Sequence, residues 1–210
     1  MMLLAEKISY FFFKNRLRKK LSSLYALEDP WHSRDLRESF LPLIREALQS
    51  RSPDACQLPV LDAGGGEGWF YDPPADLIHS YHLLDINSEA LARARERITN
   101  GSSRFIESSL DQFHPSPHTY GSIWLFSVLA YLGADRHPNL VRRCLKNLWR
   151  SLSPGGCFIL LLPYYSPSEK NKQLQMGQFF SALPGSKLIL ERDFAGSAQS
   201  FLFQAYSKSC

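Results

Sequence analysis

Residues 61–70 read LDAGGGEGWF, with four glycines in the five positions from Gly64 to Gly68, an apolar run before them and the aromatics Trp69, Phe70 and Tyr71 after them. Glycine inside a regular element costs about 0.5–1 kcal/mol relative to alanine, so a cluster of glycines marks a tight turn or a backbone that a ligand approaches closely. What flanks the loop decides between the two.

The run Leu58 to Leu61 reads as a first strand ending at the glycines. Tyr81 to Leu84 is a second, closed by Asp85, after which Asn87 or Ser88 caps a helix through Ile98 with Arg93, Arg95 and Arg97 on its wet side. Arg104 to Glu107 and Ser122 to Phe126 make a third and a fourth strand, separated by the loop His114 to Tyr120. Leu140, Val141, Cys144, Leu145, Leu148, Trp149 and Leu152 then form one apolar helical stripe, opposite Arg142, Arg143, Lys146 and Arg150. Ser153-Pro154-Gly155-Gly156 stops that helix, and Cys157 to Leu162 is a continuous apolar run of the kind buried on both faces of a parallel sheet. Leu188 to Phe194 and Phe201 to Tyr206, joined by Ala195 to Ser200, form an antiparallel hairpin. Strands alternating with helices predict a doubly wound, mostly parallel α/β sheet of seven strands with N-terminal helices. Ligands of such sheets bind beyond the carboxyl ends of the strands, where strand order reverses. The glycines stand at such a carboxyl end.

A chain of 210 residues with 44% hydrophobic content suits one compact domain. We read residues 1–50 as a helical extension, Ser50 to Gln57 as a polar linker and 51–210 as the domain proper. Cys56, Cys144, Cys157 and Cys210 stand far apart, so neither a zinc site nor a disulfide framework is expected and a reducing cytoplasm is. No apolar run approaches the roughly 20 residues of a membrane span, and no signal-peptide plan is present at the start. The net charge is +4, but Lys7, Lys14, Arg16, Arg18, Lys19 and Lys20 face Glu6 alone in the first 25 residues, leaving the rest near neutral. A large nucleic-acid partner is therefore not expected, since such a partner calls for a broad basic face.

The motifs VLDAGGGEG, LLDIN, SIWLFSVLAYL and LWRSLSPGGCFILLLP resemble, in order and spacing, those of the class I S-adenosylmethionine-dependent methyltransferases, a Rossmann-like family, over roughly Leu58 to Tyr206. The glycine loop alone is ambiguous, because Ala63-x-Gly65-x-x-Gly68 also reads as a variant dinucleotide fingerprint, whereas the methyltransferase register is Asp62-x-Gly64-x-Gly66-x-Gly68. The resemblance implies S-adenosylmethionine as cofactor, its methionine part over Gly64, Gly66 and Gly68, and its ribose hydroxyls on Asp85. It also implies Ile86 on the adenine face and Phe126 beside the cofactor, with Asp62 ordering the loop or facing the cofactor's amino group. After the third strand many relatives carry an adenine-binding acid; here Ser108-Ser109-Leu110-Asp111 stands there, leaving Ser109, Leu110 and Asp111 in contention. Asp72-Pro73-Pro74 cuts short the helix that follows the loop.

Phe126-Ser127-Val128-Leu129-Ala130-Tyr131 follows the fourth strand where amino-methylating DNA enzymes have an Asn/Asp-Pro-Pro-Tyr motif, and neither a Pro-Cys nucleophile nor a magnesium-type acidic cluster is found. A small-molecule acceptor with an amine, hydroxyl or carboxylate is expected, with Ser127, Tyr131 and His32 as catalytic candidates. Asp29-Pro30-Trp31 resembles an opening seen in nodulation-type N-methyltransferases, with Trp31 as a packing anchor or a substrate contact. His114, His118, Tyr164 and Tyr165 are further loop residues that can reach a cleft, and a histidine near its ordinary pKa can take a proton. The competing reading is a non-catalytic methyltransferase-like binding module. Tyr10 to Phe13 and the basic residues to Lys20 either pack on the domain or attach it peripherally to an anionic membrane surface.

Overall fold

The computed structural model describes residues 34–71, 77–99, 101–131, 137–164, 166–194 and 200–209; of the side chains in these ranges, those of 34–37, 130–131 and 172–177 are outside the description. Its elements are α1 (Arg34–Gln49), α2 (Pro53–Cys56), β1 (Val60–Ala63), β2 (Tyr81–Asp85), α3 (Ser88–Arg97), β3 (Arg104–Glu107), β4 (Tyr120–Phe126), α4 (Val128–Tyr131), α5 (Pro138–Ser151), β5 (Leu152–Tyr164), α6 (Pro167–Ser181), β6 (Ser186–Phe194) and β7 (Ser200–Lys208). One seven-stranded sheet has the order β3-β2-β1-β4-β5-β7-β6, parallel from β3 to β5 and closed by the antiparallel β7 and β6. The chain runs outward from β1 to β3 on one side and from β4 onward on the other. The reversal therefore lies between β1 and β4.

Burial follows from the two faces of this sheet. β1, β2 and β4 are buried along their whole length, as strands covered by helices on both sides must be. On one face Phe40, Ile44 and Leu48 of α1 and Leu91 and Ala94 of α3 meet Val60, Tyr81, Leu83 and Trp124. On the other, Val141, Leu145 and Leu148 of α5 and Phe180 of α6 meet Leu61, Ile123, Leu125 and Phe158. The stripe read from residues 140–152 is thus a core face, with Leu152 passing into β5.

Several boundaries differ from the sequence reading. β1 begins at Val60 and includes Asp62 and Ala63, because pairing with β2 and β4 sets its extent, whereas Leu58 belongs to the turn closing α2. The presumed linker is built structure: Ser52 caps α2 by accepting from the Ala55 amide, and Arg51 is buried, its Nε donating to the Leu48 carbonyl at 3.0 Å. β5 starts at Leu152 rather than Cys157, absorbing Ser153 to Gly156 in a register shift. Helix α6 was not anticipated, although Ser166-Pro167-Ser168-Glu169 spells its start: the Ser166 hydroxyl accepts from the Glu169 amide at 3.2 Å. No helix of the described residues is long and apolar enough to cross a membrane.

Candidate active site

The glycine loop leaves β1 through three left-handed residues, Gly64 (φ 80°), Gly66 (φ 57°) and Gly68 (φ 68°), a conformation that costs a residue with a Cβ about 1–2 kcal/mol. Gly65 is not among the positive-φ residues, so the strained positions follow the register Asp62-x-Gly64-x-Gly66-x-Gly68. Gly65 has a different reason to be glycine: a Cβ there would stand 2.4 Å from the Asp62 carboxyl and 2.5 Å from Leu83 Cδ1.

Short bonds tie the loop to β2, and β2 to the chain leaving β3. The Gly64 amide donates to the Leu84 carbonyl at 2.6 Å, and the Ser108 amide donates to the Asp85 carbonyl at 3.0 Å. Asp85 Oδ2 accepts from the Gly66 amide and Oδ1 from the Asn87 amide, both at 2.8 Å, so this buried acid orders the loop and the start of α3 together. Burial pushes its pKa up while the amides pull it down. Each oxygen keeps further acceptor capacity.

Asp62 has other company. It is 1% exposed, its Oδ2 accepts from the Tyr81 hydroxyl at 2.6 Å, and its Oδ1 has no partner among the described residues. Burial raises its pKa to about 7 against the pull of the Tyr81 bond, and burial, helped by the Asp62 carboxyl, keeps Tyr81 protonated well above its ordinary value. The loop amide that the sequence reading offered to Asp62 is thus bonded to Asp85 instead.

Two arginines of α3 hold the loop from outside: Arg93 from the exposed face that the sequence predicts, and Arg97 from a half-buried position. Arg93 Nε donates to Glu67 Oε1 at 2.6 Å, and Arg97 Nη2 donates to the Glu67 carbonyl at 3.0 Å and to the Gly68 carbonyl, its guanidinium lying 4.9 Å from the Trp69 ring. Arg95 lies over Phe105.

Across the reversal, β4 ends in Phe126, whose ring meets Phe70 edge-on at 4.7 Å and stacks on Trp124 at 5.4 Å. Ser127 follows with φ 63°, a left-handed backbone for a residue that is not glycine, and its amide donates to the Leu161 carbonyl at 2.8 Å. It is 8% exposed with a hydroxyl that has no hydrogen-bond partner among the described residues. The next residue, Val128, lies so close to Gly64 that a Cβ there would stand 2.7 Å from Val128 Cγ2. The loop after β1 and the turn after β4 therefore touch at the reversal point of the sheet.

This architecture can now be set against known proteins. Residues 60–156 match the family model described as a methyltransferase domain, a span that runs from the first residue of β1 into β5. Over that span, a little under half of its length, the chain is similar to a methyltransferase domain. No curated protein matches its sequence. Among solved structures, the N-methyltransferase NodS from Bradyrhizobium japonicum WM9, in complex with S-adenosyl-L-homocysteine, has a TM-score of 0.75 at 19% identity, over 91% of this chain and 98% of that one. A SAM-dependent methyltransferase from Leishmania major gives 0.63 at 14%, over 82% and 73%. The [4+2]-cyclase SpnF gives 0.57 at 11%, over 80% and 81%. At these identities the likeness is one of fold.

The expected site residues fall into groups. Asp62, Gly64, Gly66, Gly68, Asp85 and Ile86 lie on β1, on β2 and on the turns that leave their carboxyl ends. Ser109, 7% exposed, bonds to Gln112 Oε1 at 3.1 Å, Leu110 is in the core, and Asp111 is partly exposed. Phe126 and Ser127 stand across the reversal, with Tyr131 on α4, its side chain outside the description. His114 and His118 do not join them. His118 contacts the Leu152 carbonyl and His114 contacts Asn147, both toward the amino end of β4, because the chain has already crossed the sheet before reaching them. Tyr164 bonds to Asp193 beside Lys170 at the far end of β5. His32, Trp31, Tyr165 and the basic segment 10–20 lie outside the described residues. Tyr81, Arg97 and Phe70 are neighbours of the loop that sequence reasoning missed. Tyr81 carried a signal: it stands two residues before Leu83, the β2 partner of Asp62, and so shares its face of the sheet.

Proposed function

We propose that this domain transfers the methyl group of S-adenosylmethionine to a small molecule, with an amine as the first choice of acceptor and a hydroxyl or carboxylate as the others. One observation carries the reading: the three left-handed glycines turn over the end of β1, and Asp85, bonded to the Gly66 amide, lies beside them at the sheet's reversal point. That arrangement suits a ligand with a nucleoside ribose on the acid and an amino-acid end over the loop. Asp85 has acceptor capacity for the two ribose hydroxyls, Ile86 and the Ser109–Asp111 turn border the adenine, and Asp62 lies beneath the amino-acid end. The cofactor supplies an electrophilic methyl on a sulfonium. Phe126, Ser127 and Tyr131 then face the acceptor from the β4 side.

In such a displacement an acceptor lone pair forms the new bond as the carbon–sulfur bond breaks, so positioning and water exclusion provide most of the acceleration. The NodS likeness is to an N-methyltransferase, which supports an amine acceptor. A binding module without turnover is the second reading, and the shared fold of SpnF, a [4+2]-cyclase, is the observation that keeps it in view. The test is release of S-adenosylhomocysteine on incubation with S-adenosylmethionine and separate sets of amines, phenols and carboxylic acids. Release stimulated by amines supports the proposal. Tight cofactor binding with no stimulated release across all three sets would favour the module.

A further inference from the structure

The cofactor reading leaves one feature without a role: a buried tyrosine that donates its hydroxyl to the acid under the loop. Asp62 sits among Val60, Leu83 and Trp124 on the face covered by α1 and α3, with Oδ2 on Tyr81 and Oδ1 unpartnered among the described residues. An ionised carboxylate with so little solvation is unfavourable, so a carboxyl group in such a place holds its proton to a higher pH than usual and gives it up more readily when a positive charge arrives. The titratable and charged groups facing it are Tyr81 and Asp85 of β2 and Arg97 of α3, with Tyr71 in ring contact with Tyr81 at 4.9 Å. Asp85 opposes ionisation of Asp62, whereas Arg97 and the Tyr81 hydroxyl favour it.

We propose that Asp62 and Tyr81 form a proton-linked part of the cofactor site, in which Asp62 gives up one proton when the ligand's ammonium settles over the glycine loop and Tyr81 positions and stabilises the resulting anion. This rests on the cofactor reading above. The bond that breaks is the O–H of the Asp62 carboxyl group. Its proton goes to the buffer, and the carboxylate left behind faces the ammonium through the thin Gly65 backbone. Direct contact is not required, because charges separated by a few ångströms interact strongly in a poorly solvated interior. Tyr81 is a positioning residue. Its bond lowers the pKa of Asp62, so loss of the hydroxyl makes the proton harder to release.

The experiment is calorimetric titration with S-adenosylhomocysteine from pH 5.5 to 8.5, in two buffers of different ionisation enthalpy. The Asp62→Asn chain is titrated in parallel to account for every other ionisation, including that of His82 and those of the ligand. In the unaltered protein the affinity rises roughly tenfold per pH unit below about 7 and levels off above it, with close to one proton released per ligand at pH 6. Asp62→Asn binds more weakly at high pH and loses this component. Tyr81→Phe, which keeps the ring contacts, moves the levelling point to higher pH while retaining nearly full affinity above it. A flat affinity and a buffer-independent heat in the unaltered protein would overturn the proposal while leaving the cofactor reading intact. Failure of the ligand to bind at any pH would overturn both.

Discussion

The two sides of the sheet's reversal point are built on opposite plans. On the β1–β2 side the polar groups of the loop are paired: Asp85 holds Gly66 and Asn87, the Gly64 amide reaches Leu84, and Arg93 and Arg97 close the outside. On the β4 side the backbone is strained at Ser127 and the hydroxyl has no partner among the described residues. A paired side fits a ligand that is always the same, while a strained and unpaired one is characteristic of a position kept for contact with something else. Asp62 Oδ1 and Asn87 Nδ2 are exceptions on the paired side, since neither has a partner among the described residues.

That contrast can be broken by substitution. The largest effect is expected at Gly65, where an added methyl would lie 2.4 Å from the Asp62 carboxyl. Gly65→Ala should destabilise the protein by about 3 kcal/mol, lowering the melting temperature by roughly 6–12 °C, as read by calorimetric scanning. A melting temperature within a degree of the original would mean the loop is looser than described.

Asp85→Ala should weaken S-adenosylhomocysteine binding by about 1.5–3 kcal/mol, or roughly 10–150-fold, because a charged acceptor is lost and the Gly66 and Asn87 amides are left unpaired. Unchanged affinity would remove Asp85 from the site. Parallel titrations of Ser109→Ala and Asp111→Asn separate the two polar candidates proposed to read the adenine.

A third effect is a pH dependence of stability. Asp62 is pushed up to about 7 in the folded chain from an ordinary value of 3.8. A carboxyl group raised by folding binds more protons in the native state, so its stabilising contribution is full below its unfolded value and fades as pH rises through the folded one. Between pH 5 and 7 the free protein should lose about 2 kcal/mol relative to Asp62→Asn. Denaturant melts at the two pH values check this, and an equal pH response in both chains would place the raised acid elsewhere.

Ser127→Gly gives the smallest effect and the most telling sign. Relief of the left-handed strain should raise stability by about 1 kcal/mol, whereas Ser127→Ala should not. If the hydroxyl serves the acceptor, both variants lose turnover and keep cofactor affinity. Full activity in the stabilised glycine variant would make Ser127 structural.

The same contrast explains what was legible in the sequence. The paired side depends on the backbone and on one acid at a strand end, so glycine spacing and the position of Asp85 disclosed it. The sheet was legible for a similar reason, since the mostly apolar segment Tyr81 to Leu84, the apolar run Cys157 to Leu162 and the stripe of α5 admit few other elements. Tyr81 was hidden because a tyrosine in an apolar strand reads as core until its partner is known across the sheet. Ser127 was noticed only by position, as no letter announces a positive φ. His114 and His118 misled because loop residues were assigned to the cleft without asking which end of the sheet their loop occupies. Helix α6 was overlooked because its apolar residues do not repeat with a clear period, although its capping box was in plain view.

The central claim, that this loop and Asp85 cradle S-adenosylmethionine rather than a nicotinamide dinucleotide, is tested most directly by thermal melting with each ligand separately. At about 100 times its dissociation constant a ligand stabilises by ~2.7 kcal/mol, and S-adenosylmethionine should therefore raise the melting temperature by roughly 5–11 °C while NAD leaves it in place. A shift with NAD and none with S-adenosylmethionine would contradict the account.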